Sequence, residues 1–217
     1  MPEDRVLTET KSIALKTTDR ILHPRFSEPF KTTHDLYMEG WSAMDAWIPI
    51  ALYHRKGCLV EIGVGESTFF MCKHGKDHDR DVYSIDLNSG KLKDYNYHKY
   101  FAGHYVMWGD SREITGRWDK PIAVMLIDGT HDYEIAKTEF ANMWPHVVEG
   151  GMVFIHDTYP PQEEFLSEYA CGDVWKFRKD LEKRQDEMDI LTLPYTGKWC
   201  GVSVIIKKEK ERPYWGE

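Results

Sequence analysis

The chain has 217 residues, 41% hydrophobic and 29% charged, enough for one soluble domain with a single sizeable core. Its 28 Lys and Arg against 36 Asp and Glu give a formal charge of −8, which excludes the basic footprint of a protein that grips nucleic acid. No apolar run approaches the ~20 residues needed to cross a bilayer, and the start MPEDRVLTETKS is too polar and acidic for a secretory leader. Cys58, Cys72, Cys171 and Cys200 show no C-x-x-C and no zinc-like spacing, so reduced thiols and a cytoplasmic location are expected.

In chain order, residues 1 to about 40 show little periodicity and are expected to pack on the domain as an extension. From Trp41, the apolar positions Trp41, Met44, Trp47, Ile48 and Leu52 recur at helical spacing, and the helix is expected to stop at HRKG with Gly57 as its C′ residue. Short apolar runs follow at 58–62, 81–86, 104–110, 122–128 and 151–157. Helical patterns lie between them, most clearly over 132–148. A helix at about 174–187 precedes strands at 189–193 and 201–206, joined by a short turn that favours antiparallel pairing. The pattern predicts an α/β fold: a Rossmann-like, doubly wound, mainly parallel seven-stranded sheet with helices on both faces and a C-terminal antiparallel hairpin. The main domain is expected over 41–207, with a charged tail at 208–217.

Ligands of such sheets bind outside the carboxyl ends of the strands. The five predicted parallel strands carry Glu61, Asp86, Asp110, Asp128 and Asp157 at or next to those ends. In LVEIGVGEST (59–68), Gly63 and Gly65 allow backbone to approach a ligand, but the third glycine of a dinucleotide loop is replaced by Thr68. Asp86, 21 residues after Gly65, is placed to accept hydrogen bonds from two ribose hydroxyls, as NAD and adenosyl ligands both require. Glu61 separates the two: it would repel a pyrophosphate and attract a ligand bearing an ammonium or sulfonium group.

From about Gly40 to Ile206 these residues resemble the class I S-adenosylmethionine-dependent methyltransferases, through the E-x-G-x-G motif at 61–65. The resemblance implies that Glu61 faces the methionine end of the cofactor, that Gly63 and Gly65 line it, and that Asp86 binds its ribose. It places the adenine at Gly109-Asp110-Ser111, with Asp110 near the exocyclic amine. The stretch MLIDGTHDYEIAKTEFANMWPHVVEGGMVFIHDTY is similar to a subgroup with I-D-G-x-H and H-D-T strand tips, in which some members hold Mg²⁺ and methylate hydroxyls. Two positions depart from its metal-dependent sugar methyltransferases. Thr130 stands where a second Asp is frequent, and His156-Asp157 where paired acidic residues are.

On this reading Asp128 and Asp157 are candidate ligands for Mg²⁺, and His131 a candidate general base for an acceptor hydroxyl. His156 is expected to be structural. The D/N-P-P-Y/F box of DNA amino methylation is missing from the strand-four tip, which reads DGTH. The stretch TYPPQEEFLSEYACGD (158–173) has no helical period and is a candidate lid over the acceptor. The leading function is methyl transfer to a small-molecule hydroxyl, with no nucleic-acid or membrane partner. A dinucleotide-dependent oxidoreductase and a non-catalytic adenosyl-binding protein are the alternatives. The sequence leaves the oligomeric state open, a homodimer being one option.

Overall fold

The computed structural model of the protein describes residues 41–53, 55–88, 103–167, 170–194 and 200–210. The expected N-terminal extension and residues 211–217 of the tail lie outside them. Helix α1 (Ser42–Tyr53) leads into β1 (Cys58–Ile62), α2 (Ser67–Asp77), β2 (Val82–Asp86) and β3 (His104–Trp108). Then come α3 (Ser111–Thr115), β4 (Ile122–Ile127), α4 (Tyr133–Met143) and β5 (Val147–His156). The chain ends with α5 (Val174–Leu181), β6 (Met188–Leu193) and β7 (Val202–Lys207).

The strands form one sheet in the order β3-β2-β1-β4-β5-β7-β6. The first five pair in parallel, and β7 runs antiparallel between β5 and β6. Because alternate residues of a strand face opposite sides, β1 divides its apolar residues between two layers. Val60 and Ile62 join Ile85, Met125, Ile127 and Ile155 under α4 and α5, where Phe140, Met143 and Phe177 cover them. Leu59 joins Val124, Leu126 and Phe154 on the other face, under Met44 and Ile48 of α1 and Phe70 and Met71 of α2. Both faces are therefore dry, which is why β4 is an unbroken apolar run, IAVMLI.

Four expectations need correction. The helix predicted over 132–148 ends at Met143, followed by a 3₁₀ turn at Trp144–His146. Pro145 has no N–H to continue the ladder, and Val147 already belongs to β5. That strand accommodates its early start by a register shift against β4, with Gly150 at φ +71°. Gly57 lies beyond the end of α1 rather than capping it. A Cβ there would stand 2.6 Å from Ala123 N, so the glycine permits close approach to β4. The helix predicted to 187 ends at Leu181, and the candidate lid contains a 3₁₀ turn at Glu163–Leu166.

The fourth correction concerns the thiols. Cys171 and Cys200 form a disulfide, while Cys58 and Cys72 are free and buried. The paired cysteines are 29 residues apart in sequence, and only the folding of 171 and 200 against the end of β5 brings them together. The chain therefore does not carry the four reduced thiols on which a cytoplasmic location was expected. Among the described residues, no helix is long and apolar enough to cross a membrane.

Candidate active site

Parallel pairing from β3 to β5 brings five strand ends to one edge of the sheet, and the strand order reverses between β1 and β4. A crevice opens there, lined by Ile62, Gly63, Asp86, Gly109, Asp110, Ser111, Gly129, Thr130 and Ile135. Gly63 has φ +96°, and a Cβ on it would lie 2.1 Å from the carbonyl oxygen of Asp128. The floor of the crevice is thus two loops in backbone contact, also joined by Asp128 N–H donating to Ile62 O at 2.9 Å. A Cβ on Gly65 would meet nothing within 4 Å, so that side of the loop is open.

Asp86, at the tip of β2, is buried and uses both carboxylate oxygens locally. Val64 N–H donates to one at 2.8 Å and Asn88 N–H to the other at 2.7 Å. The carboxylate therefore clamps the glycine loop while remaining on the crevice wall. Asp110 caps α3 by accepting from Arg112 N–H, and its second oxygen pairs with the Arg112 guanidinium at 2.5 Å. Those hydrogen bonds hold its carboxyl down to about 2. Ser111 Oγ donates to Glu139, a residue of α4 that burial pushes up to about 7 against the effect of that bond.

Glu61 has a different position from Asp86 and Asp110. It is fully buried, is not among the crevice-lining residues, and accepts from Ser84 Oγ at 2.5 Å and Ser67 Oγ at 3.2 Å. Ser84 is its neighbour on β2, and Ser67 opens α2, so the carboxylate sits below a helix N-terminus, where negative charge is favoured. Burial raises its pKa to about 7 despite the hydrogen bonds from Ser84, Thr68 and Ser67. Ser84 also contacts His104 Nε2 at 2.7 Å. This network was not legible in the sequence, because nothing in the spacing of 61, 67, 84 and 104 reveals a shared sheet face.

Beside the crevice, the tips of β4 and β5 bring Asp128, His131 and Asp157 together, with one ligand atom of each within 4.8 Å of the others. His131 Nε2 lies 2.9 Å from Asp157 Oδ2. His156 belongs to the same cluster: its Nδ1 is 3.3 Å from Asp128 Oδ1 and 3.2 Å from Asp157 Oδ1. Its ring stacks on Trp41 at 4.9 Å. Strand alternation would send His156 and Asp157 to opposite faces, but Asp157 turns to φ +58° and its carboxylate swings back to the histidine. Burial alone would lower the His156 pKa, but the Asp128 charge and hydrogen bonds to both carboxylates push it up to about 10. Burial would raise Asp157, yet its bonds to His131 and His156 hold it well below the usual carboxylate range. The hydrogen bond to Asp157 raises His131, against a smaller lowering by burial.

This coupling predicts a pH dependence of stability. A raised histidine stabilises fully below its ordinary 6.5, and His156 loses its contribution as pH rises through about 10. A depressed aspartate stabilises above its ordinary 3.8 and loses its contribution as pH falls further. His156→Asn should therefore cost roughly 3–5 kcal/mol near pH 6, the cost of leaving buried charge uncompensated. Urea unfolding of both proteins checks this, and the difference should shrink towards pH 10.

The sheet order and the crevice at its switch point define the class I methyltransferase fold. Residues 60–158 also match a family model described as a methyltransferase domain. The chain therefore has the fold of the class I S-adenosylmethionine-dependent methyltransferases, and residues 60–158 are similar to a methyltransferase domain. The methyltransferase PaMTH1 of Podospora anserina, solved with S-adenosylhomocysteine, aligns with a TM-score of 0.58 at 14% identity, over 76% of this chain and 78% of that one. The O-methyltransferase TomG of Streptomyces achromogenes, involved in tomaymycin synthesis and solved with S-adenosylmethionine, also gives 0.58 at 14%, over 84% and 93%. MycE of the mycinamycin pathway, solved with Mg and S-adenosylhomocysteine, gives 0.51 at 20%, over 86% of this chain and 54% of that one. No curated protein sequence matches the chain.

Proposed function

We propose that the chain methylates a hydroxyl group of a small-molecule acceptor, with the cofactor in the crevice and the acceptor beside Asp128, His131 and Asp157. The observation that carries this reading is the convergence of an imidazole–carboxylate cluster, buried at His156 and Asp157 and half-buried at Asp128 and His131, next to a glycine-floored crevice. The methyltransferase-domain match supports methyl transfer over the dinucleotide alternative.

When bound, S-adenosylmethionine supplies an electrophilic methyl group. The protein's work is then to orient, to exclude water and to move one proton. Asp86 is placed to take the ribose hydroxyls, and Asp110 and Ser111 the adenine edge. Gly63 brings the loop backbone close enough to line the cofactor, while Gly65 leaves open space above it. Glu61 acts through the loop and the α2 N-terminus that it braces, rather than by direct contact.

His131 is held at Nε2 by Asp157, so an acceptor proton would pass to Nδ1. The carboxylate orients the ring and stabilises the imidazolium that forms. Its raised pKa means that the basic form gains population as pH rises, and the rate should rise with it before levelling. The carboxylates of Asp128 and Asp157 lie close enough together to offer a hard divalent cation oxygen donors. Asp128 and Asp157 would hold it, leaving His131 as the base, and a bound Mg²⁺ would stabilise negative charge developing on the acceptor oxygen. His156 already offers positive charge to Asp128 and Asp157 at 3.3 and 3.2 Å, which offsets part of the cluster's charge without a metal.

Transfer of a labelled methyl group to a panel of small hydroxyl acceptors, with and without excess chelator, tests the reading. Turnover of a hydroxyl acceptor is expected, and His131→Ala should lower it by about 10²–10⁴-fold and flatten its pH profile. Full activity in chelator would remove the metal. Wild-type rates for His131→Ala across the pH range would remove the base.

A further inference from the structure

We propose that, once reduced, Cys171 and Cys200 join Asp157 in a binding site for a borderline-to-soft divalent cation of the Zn²⁺ class. This inference does not depend on the methyl-transfer reading. The ligand atoms of the three residues lie within 4.8 Å of one another, and all three residues are buried. Two thiolates and a carboxylate suit zinc-like ions far better than Mg²⁺, which prefers an all-oxygen octahedron. The site is distinct in chemistry from the Asp128, His131 and Asp157 set, although the two share Asp157.

The frame of the site does not hang on the sulfur–sulfur bond. Asp157 is fixed at the tip of β5. Tyr159 N–H, two residues on, donates to Cys200 O at 2.5 Å and pins the start of β7. Cys171 N–H donates to Phe165 O at 2.9 Å, and Asp173 N–H to His131 O at 2.9 Å, so the other cysteine is tied to the β4 loop. Gly172 packs so tightly there that a Cβ on it would lie 2.2 Å from His131 O. With the backbone held in this way, the Cα atoms stay near their separation of 6.2 Å after reduction. Tetrahedral ligation at ~2.3 Å per sulfur needs the sulfurs about 3.8 Å apart, which a side-chain rotation at either cysteine supplies.

The charges also fit. Two thiolates and Asp157 carry three negative charges against two positive ones on the ion. The imidazoles of His131, at 2.9 Å from Asp157, and His156, at 3.2 Å, stand ready to offset the excess. Three protein ligands leave a fourth position for water or a ligand atom, as in zinc sites that are not purely structural. A disulfide, by contrast, offers a buried carboxylate no hydrogen-bond donor. The reduction is a two-electron step. A dithiol reductant is oxidised to its own disulfide while the Cys171–Cys200 bond becomes two thiols, and cation binding then releases their two protons.

Cobalt(II) tests the proposal, because thiolate ligation gives it an intense near-ultraviolet charge-transfer absorption. The full chain is reduced with a phosphine, freed of reductant under argon, and its thiols are counted before titration. The expected result is absorption that saturates at one ion per reduced chain, is absent from the untreated disulfide form, and is lost in Cys171→Ser and in Cys200→Ser. Both variants retain Cys58 and Cys72, so they control for the other thiols. Asp157→Asn should keep the absorption and weaken the binding. A reduced chain with all its thiols counted and no cobalt absorption would overturn the proposal, and so would absorption undiminished in the serine variants. Loss of the near-ultraviolet dichroism on reduction would overturn it equally, since the frame would then depend on the disulfide.

Discussion

Asp86→Ala should weaken S-adenosylhomocysteine binding by roughly 1.5–3 kcal/mol for each charge-assisted hydrogen bond lost. Two ribose hydroxyls on this one carboxylate would bring the combined loss close to abolition at ordinary ligand concentrations, since each ~1.4 kcal/mol is tenfold. The structure adds a second reason for a large effect. The same carboxylate accepts from Val64 N–H and Asn88 N–H, so its removal also unpins the glycine loop that lines the crevice. Asp86→Asn separates the contributions, because it keeps the volume and one acceptor oxygen. Calorimetry with circular dichroism as a folding control checks both, and unchanged affinity would put the ribose elsewhere.

Gly63→Ala should act on the fold rather than on the ligand. The residue has φ +96°, and the added methyl group would lie 2.1 Å from Asp128 O and 2.6 Å from Asp128 C. Neither atom can rotate away, so the β1 and β4 loops must separate where Asp128 N–H now bonds Ile62 O. Backbone strain of roughly 1–3 kcal/mol and overpacking of similar size add up to several kcal/mol. That is a large share of the ~5–15 kcal/mol by which a domain is stable. Gly65→Ala is the contrast, since nothing lies within 4 Å of its added atom. It should fold normally, and Gly65→Val should lose cofactor binding instead. Urea midpoints and S-adenosylhomocysteine titrations of the variants separate the two roles, which the sequence presents as one motif.

The strands and their order of function were legible because parallel strands covered on both faces must be apolar throughout. Runs such as IAVMLI and the acidic residues beyond them mark both the element and its carboxyl end. The grouping of Asp128, His131 and Asp157 followed from that, given adjacent β4 and β5. Three features were not legible, each for a physical reason. His156 reaches Asp128 across the β4–β5 pair, and it meets Asp157 as well because that residue adopts a positive φ that strand alternation does not anticipate. Glu61 turns to the α2 face and meets Ser84 and Ser67, a contact set by sheet register and not by spacing along the chain. Cys171 and Cys200 meet because the chain after β5 folds back on the start of β7, a long-range closure without a local signal.

The central claim, an adenosyl cofactor in the crevice between β1 and β4, is tested most directly by calorimetric titration of the wild-type chain with S-adenosylhomocysteine and, separately, with NAD and NADP. Saturable binding of S-adenosylhomocysteine at one per chain, with no binding of either dinucleotide, is the predicted result. Binding of a dinucleotide without binding of S-adenosylhomocysteine would contradict the account.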